Sequence, residues 1–255
     1  MKLFCVSDIH SHWEPFKTAL DAVGFEENNK NHLLVVLGDV FDRGPNTVQV
    51  YEFLNSLTNV VLIRGNHEDL LEEMLARGYG EKHDIVNGTV TSVCDLCDIT
   101  GVKTKSTYEV CKAVEELIKP FLSKFVNYFQ TKNYIFCHSW IPCKVKFKDT
   151  SGLNPLYASN IIYEYMPDWR EANEVEWEEA RWGNPFKMAE AGLNQTGKIL
   201  VFGHWGTYEN RPREYEGEDL FDPVYGEGYI GLDATTALSG QVNVIVLEDE
   251  LLEKN

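Results

Sequence analysis

The chain has 255 residues, of which 44% are hydrophobic and 25% are charged, a composition that is typical of a folded globular protein and excludes a disordered or collagenous chain. Lys and Arg together number 23 and Asp and Glu number 40, so the net charge is −17. Such an acidic chain repels polyanions, which disfavours a nucleic-acid-binding protein and attachment to an anionic membrane surface.

Five short apolar runs predict strands that are buried on both faces, because each has four or five residues without polar alternation. These runs are Leu3–Val6, Leu33–Leu37, Val60–Ile63, Tyr134–Cys137 and Ile199–Phe202. Helical patterns over 14–23, 47–57 and 68–77 follow the first three runs, and this alternation favours a parallel sheet with crossover helices. Later runs at 229–232 and 242–247 predict further strands, for which an antiparallel direction is one option. We also expect a second sheet that packs on the first.

The stretch 78–132 interrupts this alternation and predicts a helical insertion or cap on a single domain that spans residues 1–255. Within it, helical turns are expected around Val110–Ile118 and Phe121–Phe129. A second irregular region, 149–195, is rich in aromatic and acidic residues and contains a helical pattern near residues 173–180. Since the sequence contains no repeat and no low-complexity linker, it indicates no domain boundary.

Cysteine usage and hydropathy indicate the compartment. The six cysteines, at 5, 94, 97, 111, 137 and 143, are too sparse for a disulfide scaffold and are typical of a reducing environment. No apolar stretch approaches the roughly 18 residues that span a bilayer, and Asp8 and His10 interrupt the place of a signal-peptide core. We therefore expect a cytoplasmic protein. Cys94 and Cys97 have the spacing of zinc ligands, but no second pair stands at a zinc-ribbon distance.

Polar side chains that bind metals or transfer protons follow each of the five apolar runs. The candidate metal ligands are Asp8, His10, Asp39, Asn66, His138 and His204. Ligands of open α/β sheets bind at the carboxyl ends of the strands, so we expect these side chains to meet there. The set has no thiolate and suits Mn²⁺, Fe or Zn²⁺. It exceeds what one catalytic ion uses, which predicts two ions with a bridging carboxylate, and Asp39 is the candidate bridge.

Three ordered motifs resemble those of the calcineurin-like metallophosphoesterases. They are Asp8-Ile9-His10, Gly38-Asp39-Val40-Phe41-Asp42-Arg43-Gly44 and Arg64-Gly65-Asn66-His67-Glu68. The Asp-Arg-Gly and Asn-His-Glu forms are most similar to the phosphoprotein (serine/threonine) phosphatase branch, including its bacterial and phage members. The resemblance is continuous over residues 1–76 and then consists of single anchors to about residue 235.

The resemblance implies a four-layer α/β/β/α sandwich, in which helices flank two packed mixed sheets and a binuclear metal site lies at the carboxyl ends of the strands. It also implies a division of the ligands between the ions. The first ion would be held by Asp8, His10 and Asp39. The second would be held by Asp39, Asn66, His138 and His204.

The same resemblance implies the roles of the residues that act on the substrate. His67 matches the general acid of the family, and Asp42 matches the carboxylate that orients it. Arg43 and Arg64 match the phosphate-binding arginines, whose forked guanidinium groups suit phosphate oxygens. The family has a further arginine on the phosphate side in the middle of the chain. Arg181 is the candidate for that role, with a surface arginine as the alternative.

The expected activity is hydrolysis of phosphate monoesters by a hydroxide that bridges two divalent ions, Mn²⁺ first among them. A serine/threonine protein phosphatase, with tyrosine phosphate as an additional substrate, is the first interpretation. Phe202-Gly203-His204-Trp205 is similar to a segment of bacterial symmetrical diadenosine tetraphosphate hydrolases, which makes that activity the alternative. A catalytically silent metal-binding scaffold is a third hypothesis. The substrate is thus a phosphorylated protein or a small phosphoester, and the oligomeric state is left open.

Two features near the motifs add expectations. Ser11 stands where the family commonly has glycine, and Leu232-Asp233-Ala234-Thr235 replaces its Leu-Asp-Thr-Gly. Trp140, Trp182 and Trp205 stand close in sequence to candidate site residues. They would form an aromatic wall beside the metals or pack in the core.

Overall fold

The computed structural model describes residues 1–148, 161–211, 217 and 219–252. Within these ranges the strands form two five-stranded sheets and one two-stranded sheet. Sheet 1 has the order β12 (Val244–Glu248), β1 (Lys2–Val6), β2 (His32–Val36), β3 (Val60–Ile63) and β4 (Phe125–Val126). Strands β1 to β4 are parallel to one another, and β12 runs antiparallel to β1.

Sheet 2 is also mixed. Its order is β10 (Val224–Gly226), β11 (Tyr229–Gly231), β9 (Ile199–Phe202), β6 (Tyr134–Cys137) and β5 (Tyr128–Gln130). Strands β6, β9 and β11 are parallel, whereas the two edge strands are antiparallel. The separate antiparallel pair consists of β7 (Cys143–Lys148) and β8 (Ile161–Tyr165).

The helices follow the strands in chain order. Their bounds are α1 Trp13–Ala22, α2 Thr47–Ser56, α3 Asn66–Arg77, α4 Lys82–Asn87, α5 Thr89–Thr100, α6 Thr107–Leu122, α7 Glu174–Arg181, α8 Pro185–Glu190 and α9 Thr236–Ser239. In the described ranges, no helix combines the length and the apolar character that crossing a membrane requires.

Three apolar clusters establish the layers. Phe4 and Val6 of β1 pack in one cluster with helices α1, α2, α3, α5 and α6, whereas Leu3 and Cys5 face sheet 2 in another. Helices α7 and α8 cover the far side of sheet 2 in the third cluster. Both faces of β1 are therefore buried, as its uninterrupted apolar run predicts. The order helix, sheet, sheet, helix confirms the predicted four-layer fold class.

The region 78–132 departs from the sequence-based expectation in one place. A helix over Phe121–Phe129 is wrong, because α6 ends at Leu122 and the chain then forms β4 and β5. Pro120 lies in the last turn of α6, where it cannot donate a hydrogen bond to the carbonyl of Glu116, so the end of this helix is weakened. The chain then pairs with the exposed edge of β3.

The helices of this region pack directly beneath sheet 1. Val93 and Leu96 of α5, together with Val114 and Ile118 of α6, belong to the same buried cluster as Phe4 of β1. The single domain over 1–255, with 78–132 as its insertion, stays a prediction. Of the irregular region 149–195, residues 149–160 lie outside the described ranges.

The two sheets are joined by hydrogen bonds at the end opposite to the candidate ligands. Asp249 follows β12 directly, and its carboxylate accepts a hydrogen bond from the Thr131 hydroxyl at 2.6 Å. It also accepts bonds from the backbone N–H and side-chain amide of Asn133, both at 2.7 Å. Since Thr131 and Asn133 lie in the turn between β5 and β6, the Asp249 carboxylate connects sheet 1 to sheet 2.

Candidate active site

The predicted ligands meet at the carboxyl edge of both sheets. Asp8 and His10 follow β1, Asp39 follows β2, Asn66 begins α3 after β3, His138 follows β6 and His204 follows β9. Except for the partly exposed His204, each of them has at most 2% of its surface exposed. Six side chains from five separate segments of the chain therefore lie together at this edge.

Asp39 lies at the centre of this cluster. Its Oδ2 is 3.7 Å from His10 Nε2 and 3.9 Å from His67 Nε2, whereas its Oδ1 is 3.4 Å from His138 Nε2. The ligand atoms form two groups of three, namely His10–Asp39–His67 and Asp39–His138–His204. Within each group, all three atoms lie within 4.8 Å of one another. Asp39 is common to both groups and presents a different oxygen to His10 and to His138.

The remaining candidate ligands surround the second group. His138 Nε2 lies 2.9 Å from Asn66 Oδ1 and 3.2 Å from His204 Nδ1. The Asp8 carboxylate accepts a hydrogen bond from the backbone N–H of His204 at 2.9 Å. Asp8 thus links the loops after β1 and β9. Burial, with the adjacent Asp39 charge, raises the pKa of Asp8 to about 7.

The electrostatics of the cluster suit metal coordination. Burial lowers the pKa of His10 well below its usual value and, with the neighbouring His138, lowers the pKa of His204 to about 3. Both imidazoles are therefore neutral near pH 7 and retain a nitrogen lone pair. Burial acts to raise the pKa of Asp39, but the imidazoles of His138 and His67 bring this pKa well below its usual range.

This donor set fits a pair of divalent cations. It consists of carboxylate and amide oxygens and neutral imidazole nitrogens, with no thiolate among the six candidate ligands. Buried carboxylates are ordinarily paired or bound to a metal, and Asp8 and Asp39 repel each other in this cluster. The cluster could thus hold two ions on either side of the shared Asp39.

A second functional group, His67, lies beside Asp39. Its Nδ1 is 2.7 Å from Asp42 Oδ2, and Asp42 is completely buried. Burial lowers the pKa of His67, but the carboxylates of Asp39 and Asp42 outweigh this effect and raise it above its usual value. Arg43 donates hydrogen bonds to His67 Nε2 at 2.9 Å and to His10 Nε2 at 2.7 Å. The predicted acid, its carboxylate and one predicted phosphate-binding arginine are therefore brought together.

Two hydroxyl groups that the sequence analysis did not identify also bind Asp42. Thr89 Oγ1 donates to Asp42 Oδ2 and Ser92 Oγ donates to Asp42 Oδ1, both at 2.8 Å. Ser92 Oγ also accepts the backbone N–H of Asp42 at 2.9 Å. The sequence gives one local signal for this pair, the spacing of three residues that places both hydroxyl groups on one side of α5. It does not indicate which carboxylate they bind.

The other two predicted arginines occupy a different environment. Arg64 Nε donates to Asp69 Oδ1 at 2.6 Å, and Arg64 also pairs with Glu72. Arg181 Nε donates to Asp69 Oδ2, and its Nη2 donates to Glu174 Oε1, both at 2.7 Å. Because the Arg181 side chain is only 4% exposed, the alternative of a surface arginine is wrong. The substrate-binding roles of Arg64 and Arg181 stay predictions.

The backbone around the site is strained. Among the described residues, the non-glycine positions with positive φ are Asp8, His10, Ser11, Asp39, Asp42, Arg43, His204 and Thr235. Each such conformation costs on the order of 1–3 kcal/mol, and such residues concentrate at functional sites. Ser11 has φ +56°, so serine here takes the left-handed conformation that favours glycine. The loop after β1 therefore forms without the glycine that is common in the family.

Two contacts bring the loops close enough to form the cluster. A Cβ atom at Gly65 would collide with the Asp39 carboxylate, so only glycine permits this approach. The buried Glu68 carboxylate accepts hydrogen bonds from the backbone N–H groups of Gly65, Asp39 and Val40, at 2.8, 3.0 and 3.0 Å. Glu68 thus fastens the loop after β2 to the start of α3, a role that the motif alone does not reveal.

The three tryptophans differ in exposure. Trp140 is 1% exposed and packs in the cluster beneath α7 and α8, and Trp205 packs partly buried against the same cluster. Trp182 is 50% exposed, and its ring centroid lies 6.2 Å from that of His204. Ser139, next to His138, donates to the carbonyl of Gly183 at 2.8 Å and fixes the backbone after Trp182. The ring centroid of Trp205 lies 6.5 Å from that of His204, so both Trp182 and Trp205 lie beside this residue and Trp182 is the more exposed of the two.

The chain is similar to known proteins over part of its length. The symmetrical bis(5'-nucleosyl)-tetraphosphatase of Wigglesworthia glossinidia brevipalpis is 35% identical over 69 residues, which cover 27% of this chain and 25% of the relative. The enzyme of the same description from Nitrosospira multiformis is 33% identical over 82 residues, covering 32% and 29%. The chain therefore matches about a quarter of the length of these curated relatives.

Solved structures and a family model cover far more of the chain. A cold-active protein tyrosine phosphatase aligns with 97% of this chain and 73% of its own at 17% identity, with a TM-score of 0.56. Another structure of such an enzyme, from a Shewanella species, aligns over 97% and 75% at 14% identity, with a TM-score of 0.53. At these identities the likeness shows the fold. The family model described as calcineurin-like phosphoesterase matches residues 1–230. The chain therefore belongs to the calcineurin-like phosphoesterase family.

Proposed function

We propose that the protein is a metal-dependent phosphoesterase that hydrolyses phosphate monoesters. The observation that carries this proposal is the position of Asp39, whose two oxygens face separate imidazole groups beside the His67–Asp42 pair. Two divalent cations, which we expect to be Mn²⁺ with Fe or Zn²⁺ as alternatives, suit the oxygen and imidazole donors. The residues that would hold them are Asp8, His10, Asp39, Asn66, His138 and His204.

The chemistry that such cations supply when bound is a water nucleophile at neutral pH and neutralisation of phosphate charge. Arg43 donates a hydrogen bond to His67 Nε2, and for acid catalysis this nitrogen must instead carry a proton. We therefore expect the Arg43 guanidinium to turn toward the substrate phosphate, for which its fork is suited.

The bond changes then follow from the position of His67. The water loses one proton to solvent as its oxygen bonds to phosphorus, the bond between phosphorus and the leaving oxygen breaks, and the electron pair of that bond remains on the leaving oxygen. His67 Nε2 gives the leaving oxygen a proton, while Asp42 holds the hydrogen on Nδ1 and keeps the ring in place. His67 is reprotonated from solvent after the reaction. Such a proton transfer contributes roughly 10²–10⁴-fold to the rate.

Two substrate classes fit this site. The Asn66-His67-Glu68 form favours serine or threonine phosphate on a protein, with tyrosine phosphate as a further substrate. The names of the partial relatives, and the exposed indole of Trp182 beside His204, favour a symmetrical diadenosine tetraphosphate hydrolase as the second candidate. Trp182 would stack on a nucleobase in that case.

A matrix of metals and substrates tests both the reaction and its substrate class. Chelator-treated protein is reloaded with Mn²⁺, Fe²⁺, Zn²⁺ or Mg²⁺ and assayed on p-nitrophenyl phosphate, phosphoserine and phosphotyrosine peptides, and diadenosine tetraphosphate. We expect no turnover without metal and the fastest turnover with Mn²⁺. The substrate with the largest kcat/KM identifies the class. Protein that binds two ions and hydrolyses none of these compounds would instead support a metal-binding scaffold.

A further inference from the structure

We propose that Thr89 and Ser92 are positioning residues for the reaction, and that the start of α5 thereby controls proton donation by His67. This inference rests on the proposed function, because it concerns the acid of that reaction. It gives helix α5, which the sequence indicated only as part of an insertion, a role in catalysis that acts through Asp42.

The contacts account for both oxygens of the Asp42 carboxylate. Oδ2 faces His67 Nδ1 at 2.7 Å and accepts from Thr89 at 2.8 Å, while Oδ1 accepts from Ser92 at 2.8 Å. Thr89 and Asp42 are completely buried and Ser92 is 1% exposed. Since a carboxylate can rotate about its Cβ–Cγ bond, a donor on each oxygen is what holds its plane toward His67.

The backbone of Asp42 is held by the same helix. Asp42 has φ +72°, a strained conformation for a side-chain-bearing residue, and its N–H donates to Ser92 Oγ at 2.9 Å. Gly88, just before α5, packs so closely on the Arg43 backbone that a Cβ there would lie 2.5 Å from the Arg43 nitrogen. The turn that carries Asp42 and Arg43 is thus braced by the start of α5.

The opposite side of α5 is anchored in the core. Val93 and Leu96 belong to the buried cluster under sheet 1, which fixes the position of Thr89 and Ser92 relative to the strands. A general acid must be held within a fraction of an ångström of its productive place, and a displacement of about 1 Å can cost 10²-fold. Hydroxyl groups on a rigid helix supply that constraint to His67 through Asp42.

The test uses two aryl phosphates that differ in their need for the proton. Phenoxide is a poor leaving group, with a conjugate-acid pKa of about 10 as in tyrosine, whereas p-nitrophenoxide leaves readily without protonation. We expect the double variant Thr89→Val/Ser92→Ala to lower kcat on phenyl phosphate by about 10–100-fold. On p-nitrophenyl phosphate its kcat should fall by less than about threefold, with KM and metal content unchanged.

Three further variants separate positioning from a loss of packing. Thr89→Ser keeps the hydroxyl group, so this variant should retain most of the wild-type rate on phenyl phosphate. Thr91→Val, an exposed position on the same helix, is the matched control and should leave both rates unchanged. In an Asp42→Asn background the double variant should cause little additional loss, because the hydroxyl groups act through that carboxylate.

The outcomes distinguish this inference from the proposed function. Wild-type protein that hydrolyses neither aryl phosphate in any metal would contradict the proposed function, and this inference with it. Active wild-type protein whose double variant loses the same factor on both substrates would overturn the inference alone. The inference would also be overturned if the double variant lowered the rate by the same factor in the Asp42→Asn background as in the wild type. The single variants Thr89→Val and Ser92→Ala provide the same comparison if the double variant is poorly folded in thermal melting.

Discussion

The two regions that build the site do so in different ways. Residues 1–76 supply contiguous motifs from three neighbouring parallel strands of sheet 1, and most of the strained positions of the described chain lie there, from Asp8 to Arg43. The region 134–205 supplies isolated side chains from sheet 2, chiefly His138 and His204. The first region therefore defines the local geometry of the site, whereas the second region contributes its ligands through the packing of sheet 2 on sheet 1.

Asp39 joins the two regions, so its replacement should have the largest effect. Asp39→Asn removes the charge from the carboxylate that faces both imidazole groups. Loss of several kcal/mol of charge stabilisation corresponds to a fall of roughly 10³-fold or more in kcat. We expect this fall on p-nitrophenyl phosphate together with less than two metal ions per chain by elemental analysis. Asp21→Asn, on the exposed face of α1, is the control, and near-normal turnover of Asp39→Asn would contradict the assignment.

His67 belongs to the first region alone and should break the reaction without breaking the metal cluster. For His67→Asn we expect a fall of about 10²–10⁴-fold in kcat on phenyl phosphate, the contribution typical of a general acid. Metal content should match that of the wild type. A variant that loses its metals would show that His67, which lies in one of the two ligand groups, is a ligand and not the acid.

Arg181 tests how the second region is attached to the first. Its buried guanidinium binds Asp69 of α3, and Arg181→Met would leave that carboxylate without this partner. An unpaired buried charge costs about 3–5 kcal/mol, and because Asp69 keeps its bond to Arg64 we expect a smaller but measurable fall in the free energy of urea unfolding. Lys187→Met, on the exposed side of α8, should cause no comparable change. Unchanged stability with a raised KM would instead support direct substrate binding by Arg181.

Trp182 should have the smallest effect and the greatest dependence on substrate. Trp182→Ala removes the exposed indole beside His204. An aromatic contact of about 0.5–1.5 kcal/mol corresponds to a rise in KM of roughly 2–12-fold for aryl or nucleoside phosphates. The KM for ethyl phosphate should stay the same. Tyr225→Ala, at another exposed aromatic residue, is the control, and equal rises on both substrates would exclude stacking by Trp182.

Much of the fold was predictable from the sequence because the central strands of both sheets are largely buried on two faces. The apolar runs of β1, β2, β3, β6 and β9 therefore carry no competing pattern, and their positions are confirmed within a residue or so. The failure at Phe121–Phe129 has a specific cause. An apolar segment of that length fits a helix or a strand equally well until its neighbour is known, and here the neighbour is the edge of β3.

The site was predictable where its residues are contiguous and less so where tertiary contacts decide their partners. The closeness of Asp39 to His138 and His204 follows from strands that end at the same edge. The hydroxyl groups of Thr89 and Ser92 could not be connected to Asp42, because 50 residues separate Ser92 from that carboxylate. Likewise, the pairing of Asp69 with Arg181 spans 112 positions and leaves no local pattern.

The Asp249 contacts carry a consequence for engineering this protein. They connect the two sheets at the end opposite to the ligand cluster, so the alignment of the sheets at the site depends in part on contacts far from it. Deletions that remove Asp249 would remove these hydrogen bonds and allow sheet 2 to shift relative to sheet 1, which would displace the site residues of one sheet from those of the other. Affinity tags are therefore best joined through a spacer placed after this carboxylate.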